Sequence, residues 1–303
     1  MKILVAGASG LLGSNLMYSL EQTGHQLYYT VNQDNVSFKG TKIKADLSSD
    51  WDKPWRYKYD VIINAVGLTD VDKCEREPDL SYAINTQIPE KLARYCRENK
   101  CRLIHVSTDQ IFDGKLNQYD ENSIPKPINV YGKNKLAAEQ KIKQVMRYNY
   151  LILRTNFFGI NCLSKQSLSE WVVDSLKQGG QVNMFTDVYF SPLLVNTLVL
   201  LMQQCIEQDL TGLYDCTGDS RISKYNFGVL LKTMLDLPGE VKPISVKQAN
   251  LYAARPGNMY LDNTRIKQAL GWGGLKIEDE VSALGKLYLN NYPAQLKARC
   301  VKN

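Results

Sequence analysis

Histidine is nearly absent from this chain. Only His25 and His105 occur in 303 residues, too few for a histidine-rich metal centre or a convincing Ser-His-Asp triad. His105 lies inside the apolar run RLIHVST, where a satisfied strand histidine is the ordinary reading. The seven cysteines, at 74, 96, 101, 162, 205, 216 and 300, form no C-x-x-C pair. Scattered in this way, and with no signal peptide ahead of them, they are expected as reduced thiols in a cytoplasm. Long hydrophobic runs are missing too: LLVNTLVLLM at 193–202 is the longest, is interrupted by Asn196, and falls short of a membrane span. The opening MKILVAGASG has no basic leader before an apolar stretch and no cleavage site. Nor is there a block of basic residues. The net charge of +6 comes from 37 Lys and Arg interleaved with 31 Asp and Glu, a pattern that argues against a nucleic-acid surface and suits a phosphorylated small substrate. No dense carboxylate cluster suggests a metal, so none is expected.

What is present is an alternation. Short β-branched runs recur at 2–8, 26–32, 41–47, 60–67, 101–108 and 150–156. Between most of them, apolar residues fall at three- and four-residue spacing, as at Leu92, Ala93 and Cys96, or Leu136, Ala137 and Ile142. Strands that are apolar almost throughout and alternate with helices imply a parallel sheet covered on both faces. The expected fold is α/β, a Rossmann-type doubly wound parallel sheet over residues 1–156, with a smaller C-terminal substrate lobe over 157–303 packed onto it as one unit. Helices are expected near 166–178, 194–208, 223–235 and 279–290, with a strand at 212–218.

The first strand runs into GASGLLGSN, which spaces Gly7, Gly10 and Gly13 three apart and carries Ser9, Leu11 and Leu12 between them. Gly7 would make the tight turn, Gly10 admit a pyrophosphate to the backbone, and Gly13 let the helix pack closely. A helix N-terminus then faces the phosphates. The strand-turn-helix context makes this a dinucleotide site. NAD enzymes place a carboxylate about 20 residues further on, but the second strand ends with Thr30, Asn32 and Gln33. NADPH is therefore the expected cofactor, with NADH left open, and Asn32 stands beside the ribose. Asp46 and Leu47 either meet the adenine or, in the case of Asp46, cap a helix.

At YGKNK, Tyr131 and Lys135 are four apart at the mouth of a helix, so both side chains reach one small volume. Together with the glycine turn, NAVG at 64–67 (Ala65, Val66 and Gly67 among them) and Ser107-Thr108, this pair resembles the extended short-chain dehydrogenase/reductases. Within that superfamily the chain is most similar to the dTDP-4-dehydrorhamnose reductases. The matching segments are NAVGLTDVDKCEREPDLSYAIN, STDQIFDG, PKPINVYGKNKLAAE, LRTNFFG and ARPGNMYLDNTRIKQALGW, in that order and nearly end to end.

The resemblance implies reduction of a keto group on a nucleotide-linked sugar. Tyr131 would give the proton, Lys135 would lower the phenol pKa and hold the nicotinamide ribose, and Thr108 would hold the carbonyl oxygen. Ser107 is the less favoured hydroxyl, since adjacent strand residues point to opposite faces. Ala65, Val66 and Gly67 would line the cofactor. Thr69, Asp70, Asp72, Asn85, Phe157 and Arg255 are the implied substrate contacts. Asn85 would alternatively serve a water-linked proton path or start a helix, and Arg255 either faces the diphosphate or forms a structural ion pair.

Two departures bear on the sugar: Gln110 and Phe157 stand where the family commonly has Tyr and Trp. Asp109 follows Thr108 where related epimerase-reductases carry Cys, which favours a plain reductase. A regulatory subunit like the methionine adenosyltransferase β-subunit, which shares the Tyr and Lys, and a nucleotide-sugar epimerase remain alternatives. The resemblance also allows a homodimer in the cytoplasm.

Overall fold

The computed structural model describes residues 1–33, 36–163 and 166–300. Seven strands form one parallel sheet: β1 (Lys2–Ala6), β2 (Gln26–Val31), β3 (Thr41–Lys44), β4 (Val61–Asn64), β5 (Arg102–Thr108), β6 (Tyr150–Thr155) and β7 (Gly212–Asp215). Across the sheet they run in the order 7-6-5-4-1-2-3. The chain builds outward from β1 to β3, returns to β4, and builds outward in the other direction. Its reversal falls between β1 and β4, the crevice where such sheets take ligands.

Alternation within each strand supplies both faces. Ile3 and Val5 enter the core that contains Leu16, Ile63, Leu151 and Leu153. Their neighbours Leu4 and Ala6 enter the opposite core with Ile62, Leu103 and Ile152. Both faces are apolar because both are covered by helices, which is why these strands read as continuous hydrophobic runs.

The second half of the chain does more than cap the first. β7 pairs with β6, so the sheet itself crosses the expected division at 156/157. The helix Val195–Glu207 packs against the first helix, Leu11–Leu20. Observed helices at Leu168–Lys177, Val195–Glu207, Lys224–Met234 and Ile277–Leu289 match the expected ones to within two residues. Thr264–Leu270 and Tyr292–Lys297 are further helices. A short sheet of Tyr189–Phe190, Ile222–Ser223 and Asn258–Met259 and a parallel pair of Gln181–Phe185 with Glu240–Ile244 complete the smaller lobe. Two-residue strands carry no readable period, so only the tertiary pairing reveals them. No described helix is long and apolar enough to cross a membrane.

Candidate active site

The glycine turn at the end of β1 is built by close approach. Gly7 has φ of 86°, a left-handed value that favours glycine. A Cβ on Gly13 would overlap the Gly7 carbonyl and lie 2.8 Å from Ala8 Cα, so only glycine lets the first helix sit against this turn. Gly10 caps that helix. It is exposed, and the nearest atom to an added Cβ would be 3.6 Å away, so the backbone there is open to a phosphate. Thr30 holds the turn by accepting from the Gly7 amide at 3.1 Å. Asn32 is exposed just past β2. Across the crevice, Val66 lies 3.0 Å from the Cβ position of Gly7, which places the half-exposed Ala65 and Val66 and the exposed Gly67 on the same rim. A cradle whose narrow points exclude a Cβ and whose mouth is open fits a dinucleotide.

Ser9 and Leu11 are half-exposed at that mouth, while Leu12 and Gly13 are buried. Beyond β3, Leu47 is buried in the core. Asp46 accepts from the Ser48 amide at 2.9 Å and the Ser48 hydroxyl at 2.6 Å, so it holds a turn and begins no helix.

The catalytic candidates converge at the carboxyl end of β5. Asn129 caps the helix Val130–Met146, accepting from the Gly132 amide at 2.8 Å. The residue after Tyr131 must be glycine, because a Cβ on Gly132 would overlap the Gln110 carbonyl. The helix thus presses against the loop after β5 and brings the Tyr131 phenol near enough to the Thr108 side chain to be influenced by it. Thr108 also donates to Asp109 Oδ1 at 3.2 Å. Ser107 points the other way, donating to Glu139 at 2.6 Å in a buried network where Arg154 meets Glu139 at 2.9 Å. Strand alternation has separated the two hydroxyls.

Lys135 is buried. Its ammonium donates to the Val106 carbonyl at 2.6 Å and lies 3.3 Å from His105 Nε2. Burial pulls its pKa down to about 8. The expectation that Lys135 lowers the Tyr131 phenol is not met in this structure. Burial raises that phenol, the neighbouring Thr108 side chain opposes the rise, and Asp109 and Cys74 add to it. The ammonium is engaged beneath β5, so the phenol stays in its acid form.

The implied substrate residues are largely engaged with one another or with the backbone. Asp70 caps the helix Val71–Arg76 through the Lys73 amide at 2.9 Å. Thr69 is exposed. Arg255 forms an ion pair with Asp72 at 3.0 Å and donates to the Ala253 carbonyl at 2.9 Å, the structural pairing among its two expected roles. Asn85 is not at a helix start. It sits in the wide turn Ala83–Gln87, where its side chain accepts from the Leu68 amide at 3.0 Å and donates to the Leu68 carbonyl at 3.0 Å. Asn85 therefore fixes the segment following Gly67. Phe157 is half-exposed in a two-residue strand, Phe157–Phe158, that pairs with Leu193–Leu194.

Three residues near the hydroxyl pair carried no usable sequence signal. His105, read as a core histidine, is fully buried between Lys135 and Asn64, whose Nδ2 lies 3.0 Å from its Nδ1. Asn156 donates to Asp109 at 2.6 Å. Lys224, from the second half of the chain, places its ammonium 3.2 Å from the Phe190 ring centroid. Burial raises Asp109 to about 6 and lowers Lys224 to about 7, and the charge of each opposes the shift of the other. Spatial proximity across more than 100 residues is invisible to motif spacing.

A profile of the RmlD substrate binding domain matches residues 1–287. The chain is 29% identical over 293 residues to a Haloferax volcanii protein named "Probable low-salt glycan biosynthesis reductase Agl14", covering 94% of this chain and 97% of that protein. The crystal structure of a dTDP-4-dehydrorhamnose reductase from Clostridium acetobutylicum superposes with a TM-score of 0.85 at 25% identity, over 95% of this chain and 100% of that one. Methionine adenosyltransferase 2 subunit beta of Bos taurus is 25% identical over 292 residues, 90% of this chain and 83% of that protein. With the profile spanning nearly the whole chain, this protein belongs to the RmlD substrate binding domain family.

Proposed function

We propose that this chain uses NADPH to reduce the 4-keto group of a nucleotide-linked 4-keto-6-deoxy sugar, with dTDP-4-dehydro-L-rhamnose as the substrate. The observation that carries this reading is the meeting of the Thr108 and Tyr131 side chains at the carboxyl end of β5, beside a glycine cradle open to a dinucleotide. Thr108 and Tyr131 together hold a carbonyl oxygen. As negative charge develops on that oxygen, Tyr131 transfers its phenolic proton, and the raised phenol pKa keeps the proton in place until then. NADPH, when bound, supplies hydride to the carbonyl carbon. Gly7, Gly10 and Gly13 would receive its pyrophosphate, Ala65–Gly67 would line the opposite rim, and Lys135 would donate to the nicotinamide ribose. The absence of a carboxylate at Thr30–Gln33 removes repulsion of a 2′-phosphate and supports NADPH over NADH.

Mixing the purified protein with dTDP-4-dehydro-L-rhamnose and either NADPH or NADH tests the reading through the loss of nicotinamide absorbance. Oxidation that depends on the sugar and is faster with NADPH supports it. Tight NADPH binding with no oxidation would reject catalysis on this sugar and favour a cofactor-binding regulatory subunit, the reading left open by the likeness to methionine adenosyltransferase 2 subunit beta.

A further inference from the structure

We propose that Cys162 and Cys300 form a disulfide that fastens the segment after the helix Tyr292–Lys297 to the body of the protein. The two sulfurs lie 2.8 Å apart, well inside ordinary non-bonded contact and one short movement from bond formation. Around them the geometry is already fixed. Cys300 Sγ is 2.7 Å from the Cys162 carbonyl, and Cys162 Sγ is 3.4 Å from the Leu296 carbonyl. Cys162 is buried, whereas Cys300 is partly open to solvent, so one thiol is reachable by a reagent and the other waits behind it.

The segment that carries Cys300 has its own role in the architecture. It bridges Val36, and the Arg299 carbonyl accepts from the Ser37 amide at 2.7 Å. Arg299 also forms an ion pair with Glu21 at 2.6 Å. Residues 36 and 37 follow β2, the strand whose end the cofactor cradle uses through Thr30. The disulfide would therefore tie three separate segments together: the loop at 162, residues 299–300, and the stretch after β2.

The exchange is balanced with a small-molecule disulfide as oxidant. The Cys300 thiolate attacks one sulfur of the reagent, breaking its S–S bond and releasing one thiolate, to give a mixed disulfide on Cys300. Cys162, once deprotonated, attacks the Cys300 sulfur, forming the protein disulfide and expelling the second thiolate. Two protein thiols lose two electrons and two protons, and the reagent is reduced to two thiols. Burial and the neighbouring Cys300 thiol raise the Cys162 pKa, so the second step is the slower one and accelerates with rising pH.

The test treats the full chain with excess oxidised glutathione, alkylates the remaining thiols in denaturant, and combines intact mass with peptide mapping. The expected result is a Cys162–Cys300 linked peptide with both residues unalkylated, and a Tm roughly 5–10 °C above that of the reduced protein. The Tm difference should vanish in Cys300→Ser, and in Cys162→Ala should Cys300→Ser fail to fold. Alkylation of both residues, glutathione left unresolved on Cys300, or a crosslink confined to the adjacent buried pair Cys96 and Cys101 would each overturn the proposal.

Discussion

Lys135 Nζ stands 3.3 Å from His105 Nε2, and both residues are buried. Complete burial disfavours the charged imidazole, and the neighbouring ammonium adds to this, so the His105 pKa is driven well below its ordinary value of 6.5. The folded protein consequently binds fewer protons at this site than the unfolded chain does. Stability from this group is complete above about pH 6.5 and is lost as pH falls toward the folded value. Thermal unfolding followed from pH 8 to pH 5 should show Tm falling below about pH 6.5, and His105→Gln should flatten that part of the profile. An unchanged slope in the variant would assign the acid sensitivity to other groups.

Tyr131→Phe removes the acid while keeping the ring that fills its place. Turnover should fall by about 10²–10⁴-fold, with NADPH affinity in a fluorescence titration nearly unchanged. Equal loss of both would make Tyr131 a packing residue.

Ser107 and Thr108 are adjacent in sequence, yet their substitutions should act on different quantities. Ser107→Ala leaves the buried Glu139 carboxylate without a 2.6 Å donor and should cost about 1.5–3 kcal/mol of stability, while the Michaelis constant for the sugar stays near that of the parent. Thr108→Val keeps the shape of the strand end and should reduce kcat with little change in Tm. Reversed effects would show that the two hydroxyls had been assigned to the wrong sides of the strand.

Gly13→Ala tests the cradle. Its methyl would overlap the Gly7 carbonyl, so the helix must move away from the turn at a cost of about 1–3 kcal/mol. A lower Tm and weaker NADPH binding are expected together; Gly10→Ala, where the added methyl has 3.6 Å of clearance, should lower Tm much less. Equal Tm losses at both positions would remove the distinction drawn between them.

Lys224→Met removes the ammonium that opposes the upward shift of Asp109. Asp109 also meets Thr108 and Asn156, so its carboxyl should remain protonated to higher pH in the variant. The pH dependence of kcat/KM near pH 6 should shift upward. A profile identical to that of the parent would place Lys224 outside the reacting centre.

Local sequence specified the alternation of strand and helix, because burial on both faces forces continuous apolar runs that are readable one strand at a time. It also determined the glycine turn and the Tyr131–Lys135 spacing, since each depends on residues within a few positions of one another and on backbone geometry that residue type restricts directly. Tertiary structure decided the rest. It brought β7 back to the sheet from the second half of the chain, turned Ser107 into the Glu139–Arg154 network, and engaged Arg255 with Asp72. It also placed His105 against Lys135 and set Lys224 close enough to Asp109 to shift its charge. Those outcomes arise from contacts between segments far apart in the chain, where desolvation and charge pairing depend on the assembled three-dimensional packing and leave no periodic trace in the local sequence.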